Sequence, residues 1–333
     1  MNNTSSTQTI EVNDNKNGLK HIEQIKHILT KYGIFIVFLV MVLILSLLTD
    51  RFLTVNNLLN VVRQVSFNGI LAIGMTFVVI TGGIDLSVGS VLAVAGVVSA
   101  SLVVNGEAHV PTFIAILVGL VVGMFCGWIN GFLVTKGKLA PFIATMGMMT
   151  IARGASLVYT SGRPVTSLTK SFQKIGSGFI FGIPIPIYLL VLVAAIAFFI
   201  LKYTKFGRHV YAVGGNETAA RASGLNTNRI KILVYMISGV LAGLVGMVLS
   251  ARVNSASPIW GVGYELDAIA AAVIGGTSLS GGVGNIPGTI VGALIIGIIS
   301  NGLDILNVSS YYQQIIKGLI IIIAVLSDRK NKQ

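Results

Sequence analysis

The stretch YGIFIVFLVMVLILSLL, residues 32–48, carries no charged side chain and decides the class of fold. An apolar helix of about 20 residues is long enough to cross the hydrocarbon of a bilayer. The rest of the chain has the same character, since 54% of its 333 residues are hydrophobic and only 10% are charged. A soluble domain carries about 25% charged residues. The composition therefore predicts an integral membrane protein.

Ten apolar runs follow one another along the chain and predict an all-α polytopic protein. At a rise of 1.5 Å per residue, the eighth and ninth runs are too short to cross a bilayer unless they extend or form part of a broken element. About ten membrane helices are therefore expected, some of them short or broken, and eight or nine true spans remain open. The runs cover residues 34–48, 58–80, 86–104, 113–134, 140–159, 185–201, 232–251, 266–275, 286–299 and 311–326.

The basic residues predict the orientation of these runs. Most of the 23 Lys and Arg residues fall in alternate connecting segments that include both termini. Cytoplasmic loops are enriched in such residues, so both termini are expected in the cytoplasm. The chain then divides into a disordered polar arm (1–31), a transmembrane domain (32–328) with a cytoplasmic loop (202–231), and a tail (329–333). The net charge of +12 is an orientation signal by this interpretation and predicts no nucleic-acid partner.

The sequence lacks the motifs of an enzyme. It contains no G-x-x-x-x-G-K-[S/T] loop for nucleotide phosphates and no H-E-x-x-H or Cys/His cluster for a metal. Cys126 is the single cysteine, and no His lies within an apolar run to act as a base. We therefore expect no catalytic residues, no metal and no cofactor. The pattern predicts a membrane passage or a scaffold.

Polar residues beside the apolar runs are the candidates for a translocation path. Ionisable groups at membrane depth are costly and often functional, but an acid at a helix N-terminus also stabilises free N–H groups and the helix dipole. Both interpretations stay open for the acidic residues of this set. The candidates are Asn68, Thr81, Asp85, Ser87, Glu265 and Asp267.

Small residues form three stripes at helical spacing. Such stripes let helix backbones approach closely in lipid. They predict packing within one subunit or, alternatively, a seam between two subunits. The stripes are Gly119, Gly123, Gly127 and Gly131; Gly239, Ala242, Gly243 and Gly246; and Gly288 with Gly292.

A short helix is predicted within the loop at 202–231. Gly214 and Gly215 interrupt the chain, Asn216 is a good N-cap, and Gly224 is a good stop. The helical residues would be 218–223, after Glu217 at the positive end of the helix dipole. A helix of two turns is marginal alone. It must pack on its own membrane helices or on a partner protein.

Five segments together resemble one family. They are TGGIDLSVGS (81–90), KLAPFIATMGMM (138–149), FGRHVYAVGGNETAARASGLN (206–226), YELDAIAAAVIGGTSLSGGVG (264–284) and SSYYQQIIKG (309–318). The chain resembles the ribose-type membrane permeases of ATP-binding-cassette sugar importers over about residues 33–328. This resemblance implies a homodimer in the bacterial cytoplasmic membrane, a separate cytoplasmic ATPase, and an extracytoplasmic binding protein that delivers a sugar.

The resemblance also assigns roles to particular residues. The short helix in the loop at 202–231 would be the coupling helix that contacts the ATPase. Its residues are Gly215, Asn216, Glu217, Ala219, Ala220, Arg221 and Gly224. The segment at 160–184 either receives acidic lobes of the binding protein or is an ordinary solvated loop. Its basic residues are Arg163, Lys170 and Lys174.

Rival functions remain at this point. Ribose is the expected substrate, but another pentose, a galactoside, an inositol or a furanosyl signalling molecule is also compatible with the resemblance. A secondary transporter driven by an ion gradient would be expected to bury paired acids and bases at the midplane. A membrane scaffold or receptor would need no polar groups along its helices.

Overall fold

The computed structural model describes residues 33–106 and 110–330, which are mainly helical. The predicted arm at 1–31 lies outside the described residues, and the predicted tail begins at the end of the last helix. The helices are α1 (Gly33–Leu48), α2 (Val55–Ile80), α3 (Val88–Ser101), α4 (Thr112–Thr135), α5 (Pro141–Thr160), α6 (Lys170–Ser177), α7 (Ile185–Tyr203), α8 (Lys205–Gly215), α9 (Glu217–Ala222), α10 (Thr227–Val253), α11 (Tyr264–Ile274), α12 (Ile286–Ile305) and α13 (Ser310–Lys330).

Each of the ten apolar runs falls on a helix. By length and composition, six helices within the described ranges can cross a membrane, namely α2, α4, α5, α7, α10 and α12. Helices α1 and α3 are apolar but shorter, and α11 has 11 residues. The chain is thus a multi-pass helical membrane protein.

The ninth run is longer in the structure than the sequence predicts. Helix α12 has 20 residues, because it continues through the polar residues that follow the apolar run. Asn301 is 9% exposed and exchanges two hydrogen bonds, of 2.9 and 3.0 Å, with Asn57 of α2. The polar end of α12 is therefore stabilised by the pairing of Asn301 with Asn57 of the neighbouring helix α2.

Helices α4 and α10 meet along their glycines. A Cβ added to Gly123 would lie 2.2 Å from the carbonyl oxygen of Gly239, and one added to Gly239 would lie 2.1 Å from that of Gly123. Real Cβ atoms do not approach an oxygen so closely, so only glycine permits this contact. The first two glycine stripes therefore pack against each other within one subunit.

The third stripe joins α11 to α12 in the same way. A Cβ on Gly288 would lie 2.0 Å from the Gly275 oxygen, and one on Gly292 would lie 2.1 Å from the Ala271 oxygen. Van der Waals packing of close backbones is the force that associates helices in lipid. Helix α3 packs against α4 and α10, and α2 packs against α10, α11 and α12. Nearly every residue of α3 is buried.

The segment at 160–184 contains structure that the sequence did not predict. Helix α6 lies within it, and a two-residue strand β1 (Val165–Thr166) pairs antiparallel with β4 (Ser255–Ala256). A tight hairpin of β2 (Phe179–Ile180) and β3 (Ile183–Pro184) follows α6. Phe172 of α6 is fully buried, and the backbone of α6 at Gly176 contacts that of α10. This loop is therefore fixed to the helical body.

The end of α2, the α11–α12 connection and helix α8 meet at the end of the helices opposite to the segment at 160–184. Gly282 N–H donates to the Ile80 carbonyl over 2.8 Å, which joins the α11–α12 connection to the end of α2. Tyr211 of α8 donates its hydroxyl to the Gly284 carbonyl over 2.7 Å. Helix α8 was not predicted; it ends at the predicted glycine break, and Thr204 caps its start by accepting from Gly207 N–H. These contacts connect the loop at 202–231 to the helical core.

Candidate coupling and translocation sites

The short helix α9 has the ends that the sequence predicts. The Asn216 side chain accepts a hydrogen bond from Ala219 N–H at 2.9 Å, as an N-cap residue does. The helix runs from Glu217 to Ala222, one residue earlier than predicted. Gly224 follows with a φ of +85°, a conformation that glycine adopts at no steric cost. This turn directs the chain into α10.

Glu217 fastens α9 to the start of α10. It receives a charge-assisted hydrogen bond from Lys231 of α10 and another from Arg221 at 3.0 Å within α9. Arg221 also donates to the Thr227 hydroxyl over 3.0 Å. Burial alone would raise the pKa of the Glu217 carboxyl, but hydrogen bonding and attraction from Lys231, aided by Arg221, hold that pKa below its ordinary value of 4.5. The two helices are thus connected through one carboxylate.

The residues assigned to coupling divide into an inward and an outward group. Ala220 is 6% exposed and faces the body of the protein, whereas Asn216, Ala219 and Arg221 are exposed. Gly215 is also exposed, and a Cβ there would meet no atom within 4 Å. Helix α9 therefore has one exposed side, and its other side packs against the body of the protein.

A cavity of about 300 Å³ separates α9 from the end of α4. Its charged lining combines one carboxylate with three cations, so its net charge is positive. The lining residues are Val134, Thr135, Lys138, Glu217, Arg221, Asn228 and Lys231.

Asp85 is at the centre of a buried polar network on the same side of the molecule. Its carboxylate is 1% exposed and accepts from the Ser87 hydroxyl at 2.6 Å and from the Ser238 hydroxyl of α10 at 2.9 Å. It also accepts from the backbone N–H of Ser87 at 3.0 Å. Asn130 of α4 donates to the Ser87 hydroxyl over 2.8 Å. The network joins the start of α3 to α4 and α10.

The cap interpretation of Asp85 needs correction in one detail. The N-cap position of α3 is Ser87, whose side chain makes no capping bond, and Asp85 lies two residues before it. Asp85 therefore accepts hydrogen bonds from the Ser87 amide and from side chains of two neighbouring helices, Asn130 of α4 and Ser238 of α10. It does not accept from the free N–H groups of α3. Thr81 is the C-cap residue of α2, is 5% exposed, and donates its hydroxyl to the Val78 carbonyl at 2.8 Å.

Asp267 belongs to a second polar cluster, which joins α11 to α13 and to the middle of α2. Lys317 of α13 donates to its carboxylate over 2.9 Å, and the Asn68 amide of α2 lies 3.4 Å from the same oxygen. Asp267 stands in the first turn of α11, but within the described residues its carboxylate bonds these two side chains and not backbone amides. The structure thus brings two predicted candidates together and adds Lys317.

Glu265 lies nearby but makes different contacts. Its carboxylate accepts from Gly263 N–H at 3.1 Å, which satisfies an amide at the start of α11. Arg153 of α5 does not pair with it directly, because its guanidinium donates to the carbonyls of Pro258 and Trp260, both at 2.7 Å. The cap interpretation fits the Glu265 contact, and Arg153 anchors the connection before α11.

The three basic residues of the segment at 160–184 are all exposed. Lys170 and Lys174 are on α6, and Arg163 precedes β1. No ion pair involves any of them within the described parts of the chain. They form an exposed cationic surface on a fixed segment.

Comparison with known proteins places this architecture in a family. A model described as the permease component of the branched-chain amino acid transport system matches residues 57–325, from α2 into α13. The chain belongs to this permease family. The matched region contains both polar clusters and the α9 loop.

Several permeases of this family are similar to the chain over nearly its whole length. The ribose import permease protein RbsC of Bacillus subtilis is 50% identical, covering 91% of this chain and 94% of that protein. RbsC of Haemophilus influenzae is 48% identical, covering 92% and 95%. The D-allose transport system permease protein AlsC of Escherichia coli is 42% identical, covering 90% and 91%. No solved structure gives a significant match.

Sequence reasoning missed several members of the polar networks in this permease. Asn130 and Ser238 were not among the candidates, although each stands next to a glycine of a stripe, at Gly131 and Gly239. Asn130 is three residues after Gly127 and Ser238 is four before Ala242, so each lies on the face of its stripe, and that spacing would have found both. No comparable signal predicts the Lys317–Asp267 pair, because 50 residues separate the two.

Proposed function

We propose that this chain is the permease subunit of an ATP-binding-cassette importer that moves a monosaccharide, ribose, across the bacterial cytoplasmic membrane. The observation that carries the proposal is the identity of 48–50% to ribose import permeases over about nine tenths of each chain. Similarity of that extent covers the polar clusters as well as the scaffold. A separate ATPase would supply the energy, since the sequence contains no phosphate-binding loop.

The proposed subunit has ten membrane helices with both termini in the cytoplasm. The distribution of basic residues supports this orientation. It places α8 and α9 at the inner face and α6 toward the outer face. Two copies would form a homodimer around the sugar path. The two glycine seams are already used within one subunit, so other surfaces must form that dimer.

The ATPase would dock in the cytoplasm on the exposed side of α9, which points away from the membrane helices. The exposed residues Asn216, Ala219 and Arg221 are available to a partner, while Glu217 and Ala220 hold the helix to the body. Movement of α9 would pass through Lys231 into α10, which contacts α2, α3 and α4. A rigidly attached helix can therefore convert closure of the ATPase into rearrangement of the membrane helices.

The sugar would enter from the outer face, delivered by a binding protein. The exposed cations Arg163, Lys170 and Lys174 offer complementary charge for acidic lobes of that protein, and charges of this kind steer docking. Amide and carboxylate groups such as Asn68 and Asp267 can exchange hydrogen bonds with a polyhydroxylated solute. These residues are proposed to line part of the path.

Uptake of labelled D-ribose tests the proposal. Cells that express the chain with a partner ATPase and a binding protein should accumulate ribose, and cells that lack either partner should not. Dissipating the ion gradients while ATP is maintained should leave uptake intact. Loss of uptake under that condition would favour an ion-coupled secondary transporter instead.

A second substrate has a specific observation behind it. The relative named for D-allose transport is 42% identical over nine tenths of the chain. Competition of labelled ribose with unlabelled D-allose, L-arabinose and inositol should therefore accompany the assay. Ribose uptake that resists all competitors would establish selectivity, and stronger competition by D-allose than by ribose would reassign the substrate.

A further inference from the structure

A second cavity, of about 330 Å³, opens beside the end of α7. It is formed by α7, α8 and the beginning of α12. The lining residues are Phe198, Leu201, Lys202, Arg208, Tyr211, Asn285 and Ile286. The residues assigned above to coupling, docking or the sugar path do not contribute to it.

The charge of this cavity is positive and uncompensated. Lys202 and Arg208 line it, and no Asp or Glu does. Neither cation forms an ion pair with a carboxylate among the residues that the structure describes. The Lys202 ammonium instead lies 5.0 Å from the ring centre of Phe198 and 5.4 Å from that of Tyr203. The positive end of the α12 dipole also faces this region, because α12 begins at Ile286.

The cavity lies where an apolar helix reaches its charged end. Helix α7 is apolar throughout apart from Lys202, its only charged residue. Apolar side chains of α7 are exposed on the protein surface, as expected of a lipid-facing helix. They include Val191, Leu192, Ile196 and Phe199. Lysine side chains at such a position extend toward the phosphates of the membrane surface.

Helix α8 has the composition of a helix that lies at a membrane surface. It buries Gly207, Val210 and Val213 and exposes Lys205 and Arg208. It contains no acidic residue. The apolar face of α8 packs on the protein, and its exposed cations can attract anionic lipids at the membrane surface. Lys205 does not line the cavity, so its charge adds to those of Lys202 and Arg208 and points to the same ligand.

We propose that this cavity binds the phosphate of an anionic phospholipid. Lys202 and Arg208 would contact the phosphate, and Phe198 with Leu201 would contact the first carbons of an acyl chain. Basic pockets between membrane helices are typical sites for anionic headgroups. Because no Asp or Glu among the described residues lines the cavity, a zwitterionic headgroup would find no carboxylate there for its ammonium, and a preference for net negative charge follows.

Native mass spectrometry of the delipidated full-length protein with equal amounts of phosphatidylglycerol and phosphatidylcholine tests the proposal. The wild type should retain phosphatidylglycerol preferentially. The double variant Lys202→Gln/Arg208→Gln should bind it more weakly, by about fivefold for each charge removed. The matched control is Lys136→Gln/Arg229→Gln, which removes two exposed cations outside the cavity and should retain the wild-type preference.

A reporter tryptophan localises the lipid. In a Phe198→Trp variant whose native Trp128 and Trp260 are replaced by Phe, phosphatidylglycerol brominated near the headgroup should quench the single tryptophan more than brominated phosphatidylcholine does. Equal loss of binding in the control variant, or no loss in the cavity variant, would overturn the proposal. So would displacement of the lipid by millimolar inorganic phosphate, which would identify a site for a soluble anion. An unchanged lipid preference together with loss of the ATPase from the complex would assign the two cations to protein docking instead.

Discussion

Lys317 of α13 donates to the carboxylate of Asp267 in α11 over 2.9 Å, and it is the ion pair that ties the last helix to the core. The Asp267 side chain is 7% exposed and that of Lys317 is 28% exposed, so the pair is largely removed from solvent. Asn68 of α2 lies 3.4 Å from the same carboxylate oxygen. The buried Asp267 carboxylate therefore connects three helices, α2, α11 and α13.

Removing the lysine should destabilise the protein strongly. Lys317→Gln leaves the Asp267 carboxylate buried without a cation, which typically costs about 3–5 kcal/mol. We expect a marked fall in the thermal denaturation temperature of the purified protein. Asp267→Asn/Lys317→Gln removes both charges and should recover much of the loss. A double variant as unstable as the single one would show that the unpaired carboxylate is not the cause.

The seam between α4 and α10 should not tolerate a single methyl group. In Gly123→Ala the new Cβ would lie 2.2 Å from a carbonyl oxygen of α10, so the two backbones must separate. Overpacking of this kind costs about 1–3 kcal/mol or more. Gly147→Ala on α5 is the matched control, since its Cβ would meet no atom within 4 Å. Comparable melting temperatures for the two variants would contradict the seam.

The attachment of α9 to α10 should weaken in acid. The pKa of Glu217 is lowered in the folded protein by Lys231 and Arg221, against the opposing effect of burial. A carboxyl with a lowered pKa contributes stability above its unfolded value, and that contribution is lost as the pH falls through the folded value. Because the Glu217 side chain is 35% exposed, each ion pair should contribute at most about 1 kcal/mol.

Hydrogen exchange of residues 216–231, corrected for the intrinsic effect of pH, measures this attachment. Protection should be constant near neutral pH and decrease as the pH falls below the ordinary range of a glutamate. Glu217→Gln should show the weaker protection already at neutral pH and little further change in acid. Equal pH profiles for the variant and the wild type would exclude Glu217 as the titrating group.

Local patterns predicted the parts of this fold that depend on neighbouring residues. The apolar runs located the helices, and Asn216 with Gly224 defined α9 within one residue, because helices and caps are set by short-range rules. The glycine stripes predicted close packing but not the partner helix. The partners of Asp85 and Asp267 come from helices far away in sequence, as with Ser238 and Lys317, so a local pattern can mark such a residue but not the acid with which it pairs.

Two α9 variants test whether this helix couples ATP hydrolysis to transport. Glu217→Ala/Arg221→Ala removes the connection to α10, and an alanine inserted after Gly224 rotates α9 relative to α10. Both should reduce ribose uptake more than tenfold while the protein remains in the membrane, since α9 would no longer move α10. Arg229→Ala, an exposed position on α10 outside α9, should transport normally. Full ATP-dependent uptake by both α9 variants, at wild-type protein levels, would exclude the coupling role.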